Sequence, residues 1–200
     1  MSFIAHREAA TDPNIRHTLL LLHGTGGTEH DLVPLGHDLL PGAAILSPKG
    51  NVQESIYTRW FRRYAEGVFD EEDIRRQAND LAEFLKKEGG RYIAIGYSNG
   101  ANMGSALMTL HPEVLDGLVM WRGMKLFQQP EHADLIGKKI LMTNGIVDQM
   151  GPIESARQQA EIFRTSGAKL DLHELGTGHG LTQADFEITQ AWLRDSFAQP

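Results

Sequence analysis

Tyr92-Ile93-Ala94-Ile95-Gly96-Tyr97-Ser98-Asn99-Gly100-Ala101 is the stretch on which the reading of this chain turns. It begins as a short apolar run of strand length, closes on Gly-x-Ser-x-Gly, and passes into residues 99–110, a helical pattern stopped by His111 and Pro112. A serine at a turn between strand and helix is held in a strained backbone conformation that lifts its hydroxyl clear of the sheet. The flanking glycines remove Cβ atoms that would collide where the two elements converge. The helix that follows starts with N–H groups that have no intrahelical partner, and its dipole favours negative charge, so the amide of Asn99 is a natural donor to an oxyanion. The alternative is a tight glycine turn with an idle serine; the strand before and the helix after favour a nucleophile at Ser98.

Outward from this turn, short apolar runs alternate with longer helical patterns, the rhythm of a mainly parallel sheet covered by helices on both faces. Candidate strands occupy residues 18–23, 43–47, 92–97, 117–121, 139–143 and 169–174, with residues 2–7 as a further edge strand. Candidate helices occupy residues 71–88, 99–110, 153–165 and 182–197. The first of these spaces Ile74, Ala78, Leu81, Ala82 and Leu85 along one face, leads with acidic residues, trails with Lys86 and Lys87, and closes on Gly89 and Gly90. No repeat or low-complexity linker interrupts the series, and residues 1–200 are expected to form one domain.

Composition removes several classes of function. With 19 basic and 26 acidic residues the formal charge is −7, which offers nothing to hold a nucleic acid backbone. Cysteine is absent, so disulfides, thiolate metal sites and a cysteine nucleophile are excluded by inventory. The first eight residues place His6, Arg7 and Glu8 before any apolar run develops, unlike a secretory signal, and the run at residues 19–22 is far too short to span a bilayer. A cytoplasmic protein without membrane partners is the expectation.

Three further segments supply groups that a serine nucleophile needs. His23-Gly24-Thr25-Gly26-Gly27 follows the strand at residues 18–23 and brings backbone close to a substrate, so the amide of Thr25 is expected to be the second oxyanion donor. That loop lacks the Gly-Lys-Ser/Thr ending of a phosphate loop and the third glycine of a dinucleotide fingerprint. His179, in Gly176-Thr177-Gly178-His179-Gly180 between the last strand and the last helix, is the expected general base. His23, His111 and His173 have placements that suit structural roles. Asp148 follows the strand at residues 139–143 and keeps the chain order serine, acid, histidine, against Asp171 and Glu174 as rivals in the last strand and an ordinary capping aspartate as the plain alternative. His30, Asp31, His37 and Asp38, spaced across Pro34, suit a solvated helix face better than a metal site.

Residues 48–70 lack a clean period yet hold Tyr57, Trp60, Phe61, Tyr64 and Phe69 beside three arginines, Arg59, Arg62 and Arg63. Such an excursion either sits over a site or packs its aromatics down on the sheet. On the first reading Trp60, Phe61, Trp121 and Met150 are the expected pocket walls, because they lie on excursions or at carboxyl ends of strands. Arg62 and Arg63 would either attract an anionic substrate or make surface salt bridges.

Assembled, these residues resemble the carboxylesterase/phospholipase family of α/β-hydrolases, and more closely its bacterial branch of hydroquinone-linked hydrolases of the MhqD type. Besides Ser98, Asp148 and His179, the resemblance is carried by Leu22-His23-Gly24-Thr25-Gly26-Gly27, Ser47-Pro48-Lys49-Gly50-Asn51-Val52, Trp60-Phe61-Arg62-Arg63, Glu66-Gly67-Val68-Phe69-Asp70 and Gly178-His179-Gly180-Leu181. It implies an α/β-hydrolase fold with little or no lid and a carboxylesterase-type serine hydrolase acting on small to medium esters, without metal or organic cofactor and often as a homodimer. Thioester hydrolysis or acyl-protein deacylation would use the same three residues, and a catalytically silent ligand-binding protein would keep the same scaffold. The sequence departs from the commoner family pattern at Asp148-Gln149-Met150-Gly151-Pro152, where aspartate, proline and small apolar residues are usual.

Overall fold

The computed structural model describes residues 2–65, 67–129 and 133–197; Met1, and Glu66 from the motif quoted above, lie outside the described residues. In chain order the strands are β1 (Ala5–Glu8), β2 (Thr18–Leu22), β3 (Ala44–Pro48), β4 (Val52–Glu54), β5 (Tyr57–Arg59), β6 (Arg63–Ala65), β7 (Val68–Phe69), β8 (Tyr92–Tyr97), β9 (Leu115–Trp121), β10 (Lys139–Gly145) and β11 (Lys169–Leu175). The helices are α1 (Val33–Leu39), α2 (Glu71–Glu88), α3 (Asn99–Leu110), α4 (Ile153–Thr165) and α5 (Gln183–Phe197). Seven strands form the main sheet in the order β1-β3-β2-β8-β9-β10-β11. Strand β1 pairs antiparallel with β3, and every other pairing in this sheet is parallel.

Alternation along the central strands builds two separate cores. Leu20 and Leu22, Ala94, Leu118 and Met120, and Ile140 and Met142 face one side, where they pack with Ile74, Ala78 and Leu81 of α2, Met103 and Leu107 of α3, and Phe163 of α4. Their neighbours Leu19, Leu21, Ile93, Ile95, Val119, Trp121 and Leu141 face the other side, against Val33 and Leu39 of α1 and Trp192 and Leu193 of α5. Because both faces are covered, these strands read as continuous apolar runs in the sequence, and a slip of one residue would exchange the two cores.

Helix α2 starts where its sequence says it should. The Asp70 carboxylate accepts from the Asp73 N–H at 3.1 Å, acidic residues fill the first turn, Lys86 and Lys87 sit in the last, and Gly89 closes the helix with φ of 72°. Residues 48–70 fold as two small hairpins, β4 with β5 and β6 with β7. The parallel strands all end at the same edge, so the turns after β2, β8, β9, β10 and β11 converge there.

Candidate active site

Ser98 caps α3 with φ of 53° and ψ of −115°, a left-handed backbone that a non-glycine residue adopts only under constraint. Its N–H continues the sheet by donating to Trp121 O at 2.8 Å. The two flanking glycines are sterically required: a Cβ on Gly96 would stand 2.5 Å from the carbonyl carbon of Gly100, and one on Gly100 would stand 2.0 Å from Leu22 O. Strand β8, helix α3 and the end of β2 thus approach as closely as backbone allows, and the serine is pushed out at their junction.

His179 meets this serine from the far side of the chain order. Its Nε2 is 3.0 Å from Ser98 Oγ, and its Nδ1 is 2.7 Å from Asp148 Oδ2. The other carboxylate oxygen of Asp148 accepts from the N–H groups of Met150 at 2.9 Å and Gly151 at 3.0 Å. An ionised carboxylate only accepts, so the proton of a neutral His179 sits on Nδ1 and leaves the Nε2 lone pair facing the serine hydroxyl. The Asp148 side chain is fully buried, whereas His179 keeps part of its ring exposed.

Thr25 and Asn99 border the same cleft as Ser98 and His179. Asn99 is the first residue of α3, so its N–H has no acceptor within the helix. The Thr25 hydroxyl accepts from Arg59 Nη1 at 3.0 Å, and the next residue, Gly26, donates its N–H to Thr58 O at 2.8 Å, which ties the loop to β5. His23 supports the loop from beneath: Nδ1 lies 2.7 Å from Gly24 O and Nε2 accepts from Gly50 N–H at 3.0 Å. Burial holds the His23 imidazole below its ordinary pKa, although the bond to Gly24 O acts in the opposite direction.

Three of the four expected pocket walls are corrected by the structure. Trp60 and Phe61 are 1% and 0% exposed. Trp60 donates its ring N–H to His23 O at 2.9 Å and its backbone N–H to Asn99 Oδ1 at 2.8 Å, so it braces the loop at residues 23–27 from the core side. Phe61 packs edge-on against Phe69. Trp121 has the parity of Val119 and points to the opposite face of the sheet, where its ring N–H donates to Thr189 Oγ1 at 3.0 Å. Met150 does line the cleft. Arg59, Arg63 and Phe69 from the 48–70 excursion, with Asn102, Arg122 and Met124, complete the wall, and the last three carry no motif that would have singled them out. Arg62 is engaged with Asp70 and Asp73 on the surface, while Arg63 pairs with Glu54 at the cleft. Met124 and Met150 also border a wider outer groove of about 420 Å³ that opens beside the small inner cleft.

Among the described residues, no cluster of three or more His, Asp or Glu side chains is arranged to hold a metal ion, and no helix is long and apolar enough to cross a membrane. His30 and His37 lie near a surface group in which His37 and His6 both contact the Glu8 carboxylate.

The model of the dienelactone hydrolase family matches residues 49–191, a span that holds Ser98, Asp148 and His179 but not the loop around Thr25. The chain is 35% identical over 196 residues to the "Putative hydrolase MhqD" of Bacillus subtilis (strain 168), covering 94% of this chain and 96% of that protein. The crystal structure of the Bacillus cereus carboxylesterase superposes with a TM-score of 0.93 at 33% identity, over 98% of this chain and 95% of that one. A carboxylesterase from Mesorhizobium loti superposes with a TM-score of 0.83 at 30% identity, over 89% and 88% of the two chains. Sequence, topology and the geometry of the serine turn agree: this chain has the α/β-hydrolase fold and belongs to the dienelactone hydrolase family of hydrolases.

Proposed function

We propose that this hydrolase is a carboxylesterase-type serine enzyme that cleaves esters of small to medium size through an acyl-serine intermediate. The observation that carries the reading is the unbroken chain from Ser98 Oγ to His179 Nε2 at 3.0 Å and from His179 Nδ1 to Asp148 at 2.7 Å. His179 takes the hydroxyl proton on Nε2 as Oγ bonds to the ester carbonyl carbon, and Asp148 stabilises the imidazolium that results. The amides of Thr25 and Asn99 hold the oxyanion of the tetrahedral intermediate, a contribution of about 10²- to 10³-fold for each donor. As the intermediate collapses, the imidazolium returns its proton to the departing alcohol. Water then attacks the acyl-serine, giving its proton to His179, and the acid leaves as Ser98 recovers its hydrogen.

The confined inner cleft suits a small acyl group, and the outer groove beyond Met124 and Met150 suits the alcohol part. Beyond the ester and water, the scheme uses only groups of the chain itself, and the reaction is assigned to the cytoplasm. The test is a panel of aryl, alkyl and thioester substrates at one pH with wild type and Ser98→Ala. Ester turnover in the wild type that falls by about 10⁶-fold in the variant is expected. Faster thioester turnover would move the assignment to a thioesterase with the same three residues, and a wild type inert to the whole panel would favour a silent binding protein.

A further inference from the structure

The loop that delivers His179 has little of its own to hold it. Gly176, Gly178 and Gly180 alternate through it, and a Cβ built on any of the three meets nothing within 4 Å. Glycines at these positions leave the segment conformationally permissive, yet the imidazole must stay within hydrogen-bond range of two partners at once. On the amino-terminal side the backbone is tied where Thr177 O accepts from Val147 N–H at 3.2 Å. Over the histidine itself, three successive carbonyls are held by side chains. Arg122 Nε donates to Gly178 O at 3.1 Å, the Tyr97 hydroxyl donates to His179 O at 3.1 Å, and Arg122 Nη2 donates to Gly180 O at 2.8 Å.

Arg122 is itself rigidly placed. It follows β9 in a left-handed conformation with φ of 59°, its N–H donates to Thr143 O at 2.9 Å, and its side chain is fully buried. Both terminal nitrogens bond Asp185 in a bidentate fork, at 2.7 and 2.8 Å. Asp185 also accepts from the Thr143 hydroxyl and from the N–H and hydroxyl of Thr182 at the start of α5. Burial pushes the Asp185 carboxyl up, but the bonds from Arg122, Thr143 and Thr182 outweigh it and hold the group below its ordinary value. The charge of Arg122 is therefore compensated by a carboxylate that is locked in turn; Nη1 also donates to Thr143 O at 3.1 Å, and Nε and the second Nη2 N–H are aimed at the loop that carries His179.

We infer that Arg122, clamped by Asp185, and Tyr97 are positioning residues that fix the backbone of residues 178–180 so that the His179 imidazole stays between Ser98 and Asp148. The inference rests on the triad reading given above. Arg122 also borders the cleft, so the experiment must separate positioning from substrate binding.

The variants are Arg122→Met, Arg122→Lys and Tyr97→Phe, assayed by steady-state hydrolysis of an aryl acetate, with Ser98→Ala in parallel. A catalytic group displaced by about 1 Å costs about 10²-fold. Arg122→Met is accordingly expected to lower kcat by about 10²-fold with KM within about threefold. Arg122→Lys keeps the charge opposite Asp185 but cannot reproduce the fork, and is expected to lose about tenfold. Tyr97→Phe should lower kcat severalfold with KM unchanged. The downfield proton resonance of His179 Nδ1–H should be sharp in the wild type and broadened or lost in Arg122→Met, a signature that a merely stabilising role would not move.

Wild-type kcat in a folded Arg122→Met overturns the inference. So does a rise in KM at constant kcat, which makes Arg122 a substrate-binding group. If Arg122→Met does not fold, Arg122→Lys and Tyr97→Phe decide, and wild-type kcat in both overturns it. Activity that survives Ser98→Ala removes the triad reading and this inference together; an inactive Ser98→Ala beside fully active Arg122 and Tyr97 variants removes this inference alone.

Discussion

Replacing Asp148 by asparagine changes one oxygen to an amide nitrogen, and the structure decides which one. Oδ1 accepts from two backbone donors, Met150 N–H at 2.9 Å and Gly151 N–H at 3.0 Å, while Oδ2, among the described residues, accepts from His179 Nδ1 at 2.7 Å. The amide therefore keeps its oxygen toward the two N–H groups and turns its NH₂ toward the imidazole. A donor facing Nδ1 forces the histidine proton onto Nε2, and the ring then presents a hydrogen to Ser98 Oγ where the mechanism needs a lone pair. The shape of the site is unchanged, but its base is in the wrong tautomer. A loss of about 10⁴-fold in kcat is expected, as for asparagine at the acid position of a serine triad, which corresponds to about 5.5 kcal/mol of barrier. The assay is steady-state hydrolysis of an aryl acetate near neutral pH, with circular dichroism to show that the fold persists. A folded Asp148→Asn that keeps more than about a tenth of wild-type kcat would contradict the assigned tautomer and with it the role of Asp148.

Gly100→Ala puts a Cβ 2.0 Å from Leu22 O and 2.5 Å from His23 O, both backbone atoms, so it should cost more than about 3 kcal/mol or prevent soluble expression. Gly176→Ala, where a Cβ meets nothing within 4 Å, should stay within about 0.5 kcal/mol of wild type in the same denaturant melts. Trp60→Phe removes the bond to His23 O and some packing, and should cost about 1–3 kcal/mol with KM unmoved; a large rise in KM would restore Trp60 as a pocket wall. His23 has its folded pKa below the ordinary value near 6.5, chiefly through burial. In the window below that value the unfolded chain binds a proton that the native state refuses, so stability falls as pH drops through it. His17, also lowered by burial, contributes in the same direction. Thermal melts between about pH 7.5 and 5.5 should show a shallower pH slope in His23→Gln than in wild type, and equal slopes would refute this coupling.

The central strands were legible because burial on both faces leaves long apolar runs with little else to imitate them, as at residues 18–23 and 92–97. The edge strand expected at residues 2–7 pairs instead over Ala5–Glu8, since an edge has only one neighbour to fix its register. Helix α1 was legible only as a solvated helix face bearing His37 and Asp38, without bounds: it is seven residues long, carries Pro34 and Gly36, and has no room to display a period. The hairpins in residues 48–70 use strands of two or three residues, below the length at which alternation can be read. What the sequence concealed at the site was direction. Trp121 and Arg122 are adjacent, yet both reach α5, at Thr189 and Asp185, and Arg122 also reaches the loop that carries His179, because the left-handed turn at Arg122 breaks the alternation of β9. Likewise, nothing in the sequence links Arg122 to Asp185, 63 residues on, since only the fold brings the two charges together.

The central claim is that one hydroxyl, at Ser98, is activated as a nucleophile, and covalent labelling tests activation and location in one step. Treated with a fluorophosphonate probe, the protein should gain one adduct in step with the loss of ester hydrolysis. After trypsin digestion the adduct should fall within residues 92–122, at Ser98 rather than Ser105, and be absent from Ser98→Ala. Esterase activity that persists in fully labelled protein, or an adduct at another residue accompanying inactivation, would contradict the account.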